Sequence, residues 1–219
     1  MDILPYDFDI IKVIKEGFRR IEGVKFLFVG GFAFYFLVAL LLERALGVVF
    51  PTMQSDGSLN LINQQIITLL SYPVLLPIWV GLIMMAIKHQ AQEPISWNLL
   101  FAYYPLSGML AFAGVMVYFM TLLGFLLFLL PGIYLSIAYI FTFPLMVDKG
   151  LSAWEAMELS RKAVTMQWFK IATLLSFLTI FGLLGFFSFG ITFIWAIPLF
   201  FVILYGLLYP LIFDEIPSV

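Results

Sequence analysis

The feature that most constrains this sequence is a run of 49 residues, Leu99 to Val147, without a charged side chain. A helix that crosses a membrane needs only about 20 residues, so the run predicts two spans rather than one. Pro131 places the boundary, because proline is favoured in the first turn of a helix and disfavours helical backbone at the residue before it. We expect a third span at about 105–129, a fourth at about 131–147 that begins with Pro131 and Gly132, and almost no loop between them.

The composition of the whole chain is that of a membrane protein. Hydrophobic residues make up 63% of the 219 residues and charged residues 11%, whereas a soluble domain has roughly 25% charged residues. We therefore expect an all-α fold, a polytopic membrane protein in which residues 1–219 form a single integral membrane domain with a six-helix transmembrane bundle. The six spans are expected at about 26–42, 66–87, 105–129, 131–147, 171–187 and 190–212.

A segment before the first span, residues 8–23, has the pattern of an amphipathic surface helix. On a 3.6-residue period its apolar face consists of Ile10, Ile14, Gly17, Phe18 and Ile21. Bulky apolar side chains opposite charged ones suit a helix at the headgroup level of a bilayer. The same pattern also suits a helix packed on the cytoplasmic face of the protein itself, and both interpretations remain open.

A second surface helix is expected at residues 153–166. Ser152 followed by Glu155 has the spacing of a capping box, in which each residue satisfies a free backbone N–H group at the start of a helix. Small and apolar residues line one face of this helix: Ala153, Met157, Ser160 and Val164. A face of small residues favours close packing against protein over insertion into lipid.

The distribution of basic residues predicts the orientation in the membrane. With six spans, only Arg44 falls on one side. The other side then carries Lys12, Lys15, Arg19, Arg20, Lys25, Lys88, Lys149, Arg161, Lys162 and Lys170. Connecting segments rich in Lys and Arg stay in the cytoplasm, so both termini are expected there.

The candidate binding residues are two groups of cations next to spans. Arg19, Arg20 and Lys25 precede the first span, and Arg161, Lys162 and Lys170 precede the fifth. Each would attract an anionic lipid headgroup with about 1 kcal/mol. Membrane insertion alone also explains these positions, since basic residues of any function orient the chain.

Candidates for catalysis are few. His89 is the single histidine, there is no cysteine, and the acidic pair Asp214–Glu215 suggests a solvated tail. Asp148 and Glu155 are the carboxylates that would line a cytoplasmic cleft in a membrane enzyme, although Glu155 already has a capping role. We expect no catalytic residues, no cofactor and no metal ligands. The spans contain no ionisable residue, which argues against proton-coupled transport.

Several short motifs resemble one family. They are Leu130-Pro131-Gly132-Ile133-Tyr134, then Pro144, Asp148 and Ser152 through Glu155-Ala156 to Ser160, with Gly17-Phe18-Arg19 upstream and Pro198, Tyr205 and Tyr209 downstream. In these positions the chain resembles the YciC-like bacterial inner-membrane proteins and the membrane domain attached to some glycerophosphodiester phosphodiesterases. The resemblance implies a six-helix fold in the bacterial cytoplasmic (inner) membrane. No phosphodiesterase domain is present, so the resemblance carries no enzyme activity across.

The leading functional hypothesis is a non-enzymatic inner-membrane protein that acts on membrane lipids or on a partner membrane protein. The alternative is a transporter or channel for an uncharged or amphiphilic solute, motivated by prolines inside the second, fourth and sixth spans: Pro73, Pro77, Pro144 and Pro198. Nothing in the sequence favours nucleic-acid binding, and the oligomeric state is left open.

Cysteine labelling tests the orientation, because the chain has no cysteine of its own. In intact cells, a membrane-impermeant maleimide should modify a Ser55→Cys variant and leave a Ser152→Cys variant unmodified. The reverse pattern would overturn the predicted orientation.

Overall fold

The computed structural model describes residues 5–54 and 57–214, and within these ranges the elements are helices without a strand. The helices are α1 (Ile10–Arg20), α2 (Lys25–Gly47), α3 (Leu61–Gln90), α4 (Ser107–Leu127), α5 (Leu129–Ala138), α6 (Thr142–Asp148), α7 (Ala153–Met166), α8 (Trp168–Phe187), α9 (Phe193–Phe201) and α10 (Tyr209–Phe213). A π-helical segment, Val202–Leu208, joins α9 to α10. The expected all-α architecture is confirmed.

Six helical stretches of the described chain are long and apolar enough to cross a membrane. They are Lys25–Gly47, Leu61–Gln90, Trp97–Leu127, Leu129–Asp148, Trp168–Phe187 and Phe193–Phe213. Many large apolar side chains on α2, α4 and α8 are exposed, among them Phe36, Phe119 and Leu183. An exposed apolar surface of this extent is unfavourable in water but is the normal exterior of a helix in lipid. The class of six-helix membrane protein is therefore confirmed.

The sixth span forms the centre of the bundle. From Leu199 to Pro210 nearly every side chain is buried, and the span packs on α1, α2, α3 and α8. Phe201 stacks on Phe28 of α2 at 5.7 Å between ring centroids, and Tyr209 is completely buried. From Leu199 onward the apolar sequence of this span reflects burial in protein, whereas Trp195 near its start is exposed.

The hairpin between the third and fourth spans turns at Phe128, and the fourth span begins at Leu129, two residues before the expected start at Pro131. Phe128 alone separates α4 from α5 and has an extended backbone, with φ −164° and ψ 161°. Pro131 is the third residue of α5, where its missing N–H group would have no helical partner in any case. A Cβ atom on Gly132 would overlap the ring of Phe125. Glycine at this position therefore allows the two helices to approach directly after the turn.

The fourth span is not the continuous helix expected for residues 131–147. It ends as α5 at Ala138 and resumes as α6 at Thr142. Pro144 supplies the physical reason, because proline has no N–H group to donate to the carbonyl four residues earlier, at Ile140. The hydroxyl of Tyr205, in the sixth span, lies 3.4 Å from that carbonyl oxygen and donates to it.

The break is completed by α7, which has the bounds expected from its capping box. The Ser152 hydroxyl accepts from the backbone N–H of Glu155, while the Glu155 carboxylate accepts from the backbone N–H of Ser152. Ser160, fully buried, donates to the carbonyl of Ala138 (2.7 Å) and accepts from the N–H of Phe141 (3.1 Å). The expectation that the small-residue face packs against protein is confirmed.

The N-terminal helix α1 packs on the bundle, which decides between the two interpretations of its apolar face. Asp9 caps it by accepting from the N–H groups of Ile11 and Lys12. Gly17 lies directly against Ile203 of the sixth span, and Ile21 is fully buried. Ile11 is not part of the apolar face, and its side chain is exposed.

Other boundaries differ from the sequence-based ones at the ends of spans. The helix of the first span, α2, continues past Glu43 and Arg44 to Gly47. The helix of the second, α3, starts five residues before Ile66, at Leu61, with the Asn60 side chain as its cap. Hydropathy alone places a span by its apolar core, whereas a helix extends through its polar flanks until it meets a cap.

The Ser160→Ala variant tests the role of α7 at the break. Removing the hydroxyl leaves a buried carbonyl and a buried N–H group without partners, so we expect a loss of about 1–3 kcal/mol in unfolding free energy. Thermal unfolding in detergent measures it. Ser136→Ala is the matched control, because the exposed Ser136 hydroxyl bonds only to Ile133 of its own helix. Equal melting temperatures for both variants would contradict the role assigned to Ser160.

Candidate functional site

The residues expected to contact lipid lie at one end of the bundle, here called the polar end. It comprises α1, the first residue of α2, the last turn of α3, the end of α6, α7, and the start of α8. The segment before α1 ties these parts together. The Tyr6 hydroxyl donates to the carbonyl of Ala163 (2.9 Å), and the amide of Gln167 donates to the carbonyl of Tyr6 (3.0 Å). Lys170 donates to the carbonyl of Phe8 (3.1 Å) and pairs with Asp7.

Glu16 organises the first group of cations. Its Oε1 atom lies 2.7 Å from Nη2 of Arg19 and 2.5 Å from Nε of Arg20. Arg20 also donates to the side-chain amide oxygen of Gln90, while His89 Nε2 donates to the carbonyl of Arg20 at 2.9 Å. These contacts attach α1 to the end of α3.

The pKa of Glu16 reflects this environment. Partial burial acts to raise it, but the hydrogen bonds from Arg20 and Arg19 outweigh burial and hold the pKa below its ordinary value. Glu16 is therefore ionised at neutral pH and neutralises one of the two arginines.

Glu158 has the same relation to the second group of cations. Arg161 binds it with two hydrogen bonds, Nε to Oε2 at 2.9 Å and Nη2 to Oε1 at 2.8 Å, and Lys162 Nζ lies 3.5 Å from Oε1. The hydrogen bond from Arg161 is the largest cause of a lowered pKa at Glu158. Each glutamate thus pairs with two cations and leaves one positive charge in excess.

The exposed member of each group remains available to a ligand. The side chain of Arg19 is 75% exposed and that of Lys162 is 61% exposed, whereas Arg20 and Arg161 are partly covered. Lys25 differs from both, because its Nζ atom lies 5.6 Å from the ring centroid of Trp195 in a cation–π contact.

Exposed apolar side chains stand next to cations at the polar end. Phe26 follows Lys25 at the start of α2, and Phe169 precedes Lys170 at the start of α8; both rings are exposed. An apolar side chain for the acyl region beside a cation for the phosphate is typical of protein surfaces at the headgroup level.

The candidates for catalysis are each bonded to a different neighbour. His89 binds the carbonyl of Arg20, and Glu155 belongs to the cap of α7. Asp148 accepts from the Tyr209 hydroxyl (2.8 Å) and pairs with Lys149 (3.1 Å). Within residues 5–54 and 57–214, no group of three or more His, Cys, Asp or Glu side chains has the arrangement of a metal site.

The interpretation of residues 214–215 as a solvated tail is wrong for Asp214, while Glu215 lies outside the described residues. Asp214 Oδ1 is 2.5 Å from Lys149 Nζ, so the end of the sixth span is attached to the end of the fourth. The partner of Asp214 is 65 residues away along the chain, and nothing in the local sequence marks it.

A cleft at the polar end separates α1 from the end of the sixth span. It encloses about 430 Å³ of empty space, part of which is open solvent. Its lining is mainly apolar and consists of Val13, Glu16, Gln90, Leu207, Leu208, Pro210 and Leu211.

Comparisons with protein-family models, curated proteins and solved structures found no match to this chain.

The ion pairs of Glu16 and Glu158 predict an acid-dependent loss of stability. Both carboxylates have a pKa below 4.5 when folded, so their contribution is complete above pH 4.5 and is lost as the pH falls through the lower, folded-state pKa. The melting temperature in detergent should therefore decrease below about pH 4.5. A Glu16→Gln, Glu158→Gln double variant should show a smaller decrease, with Glu22→Gln as an exposed control. A double variant with the same acid dependence as the parent protein would refute this origin.

Proposed function

We propose that this chain is a non-enzymatic membrane protein that acts through its polar end on anionic membrane lipids, or on a partner membrane protein held at the same surface. The observation that carries the proposal is the combination of exposed cations and exposed apolar rings there. Arg19 and Lys162 extend beyond their glutamate pairs, and Phe26 and Phe169 stand beside Lys25 and Lys170. A phospholipid presents the complementary pair of groups, a phosphate next to an acyl chain.

The attraction to anionic lipids is expected to be modest, because Glu16 and Glu158 each neutralise one of the two cations with which they pair. One excess charge in the Arg19 group and one in the Lys162 group would each contribute about 1 kcal/mol of attraction to an anionic headgroup. This corresponds to about a fivefold change in lipid occupancy for each charge removed. The proposed role is therefore selection among surrounding lipids rather than tight retention of one molecule.

We place the protein in the bacterial cytoplasmic membrane with both termini in the cytoplasm. Support comes from the basic residues of the described chain, ten of which belong to the polar end while Arg44 lies near the opposite end of α2. Membership of the YciC-like family is part of the same proposal. Its motif residues have structural roles that a shared fold would require: Gly132 in the hairpin, Pro144 at the break, and Ser152 with Glu155 in the cap.

We also propose that the protein has no enzymatic activity. It is supported by the engagement of His89, Asp148 and Glu155 in separate structural contacts, none of which brings two of them together.

A transporter of an uncharged or amphiphilic solute is the second candidate. It is favoured by the interrupted fourth span and the π-helical segment of the sixth, since interrupted membrane helices line substrate sites in many transporters. Thr142, at the break, has a buried hydroxyl without a hydrogen-bond partner.

An Arg19→Gln, Lys162→Gln double variant tests the lipid proposal. Each substitution removes the exposed cation and leaves Glu16 paired with Arg20 and Glu158 paired with Arg161, so the fold should persist. After extraction in a mild detergent, native mass spectrometry should show several-fold fewer anionic lipids per protein than in the parent.

The matched control is Arg44→Gln, an exposed arginine near the opposite end of α2, which should retain the parental lipid content. The lipid proposal fails if the double variant keeps as much anionic lipid as Arg44→Gln. That result, with a folded double variant, would favour the partner protein or the transported solute.

A further inference from the structure

The connections between helices differ in their polar content. The α2–α3 connection follows Glu43 and Arg44 and contains Gln54 and Asn60, which are suited to water, although it also exposes Val48, Val49, Met53 and Leu59. The α4–α5 turn is Phe128 alone, flanked by exposed Leu126, Leu127, Leu129 and Leu130. The α8–α9 turn is flanked by exposed Phe186 and Phe187 and contains exposed Phe189 and Ile191. Phe128 is 77% exposed and Phe189 is 99% exposed.

We infer that the α4–α5 and α8–α9 turns lie among the acyl chains inside the bilayer, so that neither hairpin presents its tip to water on the far side of the membrane. The surface these tips fit is lipid. Apart from Lys170 at the start of α8, the two hairpins carry no charge, since residues 99–147 and 171–213 contain none. Rings and leucines exposed at a turn are unfavourable in water and favourable in hydrocarbon.

Hydrogen bonds within the protein satisfy part of the backbone of each turn. An unpaired backbone group in hydrocarbon costs several kcal/mol, so these bonds reduce the cost of placing the turns in lipid. At the first turn, Phe128 donates to the carbonyl of Gly124, and Gly132 donates to the carbonyl of Phe128. The tight geometry leaves Phe128 as the single residue outside the two helices.

The second turn uses its two hydroxyl residues for the same purpose. Ser188 accepts from the N–H of Thr192 (3.0 Å) and from its hydroxyl (2.8 Å), while the Ser188 hydroxyl lies 3.2 Å from the carbonyl of Gly185 and donates to it. Gly190 donates to Gly185, and Phe193 donates to Gly190. The polar groups of this turn face each other, while its phenylalanines face outward.

The depth of the first turn follows from the contacts of α5. Ala138, the last residue of α5, is hydrogen-bonded to Ser160 of α7, and the hydroxyl of Tyr134 is hydrogen-bonded to that of Thr165. Charged residues occur along α7, so this helix belongs at the headgroup level. From Ala138, the ten residues of α5 extend only about 15 Å, whereas the hydrocarbon is about 30 Å thick.

The second hairpin is held near the polar end in the same way. The ring of Phe181, in α8, packs edge-on against Phe18 of α1 at 5.9 Å, and Lys25 contacts Trp195 of α9. The helical part of the path from Phe181 to Phe189 ends at Phe187 and is about 9 Å long, and Trp195 is the third residue of α9. The turn therefore begins within about half the bilayer thickness of residues at the polar end.

A hairpin with an embedded tip returns to the side from which it entered, as does a pair of complete spans. The count of basic residues is consequently the same for both arrangements and does not show where the tips lie. The two arrangements differ in which connections contact water on the far side of the membrane. With embedded tips, the α2–α3 connection is the one that does so among the three hairpins of the described chain.

Single-cysteine variants of the cysteine-free chain test the inference. Phe128→Cys and Phe189→Cys are compared with Gln54→Cys, an exposed position in the α2–α3 connection. Membranes are opened so that a membrane-impermeant maleimide reaches both faces, and each sample is relabelled after denaturation to confirm that the thiol is present. Gln54→Cys should react at least about tenfold faster than either hairpin variant.

A second measurement uses nitroxide labels on the same cysteines in proteoliposomes. Labels at positions 128 and 189 should be more accessible to oxygen than to a water-soluble nickel chelate, and the label at position 54 should show the opposite. Maleimide reaction at position 128 or 189 as fast as at position 54, or preferential access of the nickel chelate there, would overturn the inference. Should either phenylalanine variant fail to fold, Leu127→Cys and Ile191→Cys probe the same turns.

Discussion

Buried backbone groups that lose their helical partners must find others, and the arrangement of this protein depends on how it meets that demand at residues 138–141. Ala138 and Phe141 are fully buried, so an unpaired carbonyl or N–H group there costs about 1–3 kcal/mol. Ser160 satisfies Ala138 and Phe141, and Tyr205 satisfies Ile140. The break in the fourth span is therefore stabilised by its contacts with α7 and with the sixth span.

This dependence explains why α7 has an apolar face of small residues. Ala156, Ser160 and Ala163 are completely buried, and a larger residue at any of them would hold α7 away from the break. The opposite face of the helix carries Glu158 with Arg161 and Lys162, whose side chains are partly or largely exposed. One short helix thus supplies both the partners of a broken span and part of the candidate lipid surface.

Local patterns predicted more of this structure than tertiary ones. Pro131 and the pair Ser152 and Glu155 act within one turn of helix, so their effects on boundaries follow from neighbouring residues alone. The pairing of Glu16 with Arg20 and of Glu158 with Lys162 also has helical spacing and was open to prediction. The break at Ile140 was not predicted, because Pro144 permits several outcomes and the partner that stabilises this one, Tyr205, lies 65 residues away. Asp214 was misjudged for the same reason, since its partner Lys149 belongs to another span.

Neither hydropathy nor the count of charges shows how deep the tip of a hairpin lies in the bilayer. An apolar run of 49 residues is long enough for two complete spans, and a hairpin that stops inside the bilayer has the same composition. Two complete spans and an embedded hairpin differ in the distance from the tip to a residue that must be in contact with water. That distance depends on the tilt of the helices and on their packing partners. Here the hydrogen bonds of Ala138 to α7, and the contact of Lys25 with Trp195, provide it. Because both contacts involve the polar end, the same surface that carries the candidate lipid-binding cations also holds the two hairpins at shallow depth. A lipid bound there would contact Phe26 or Phe169 with its acyl chain, in the layer of the bilayer that the hairpins occupy.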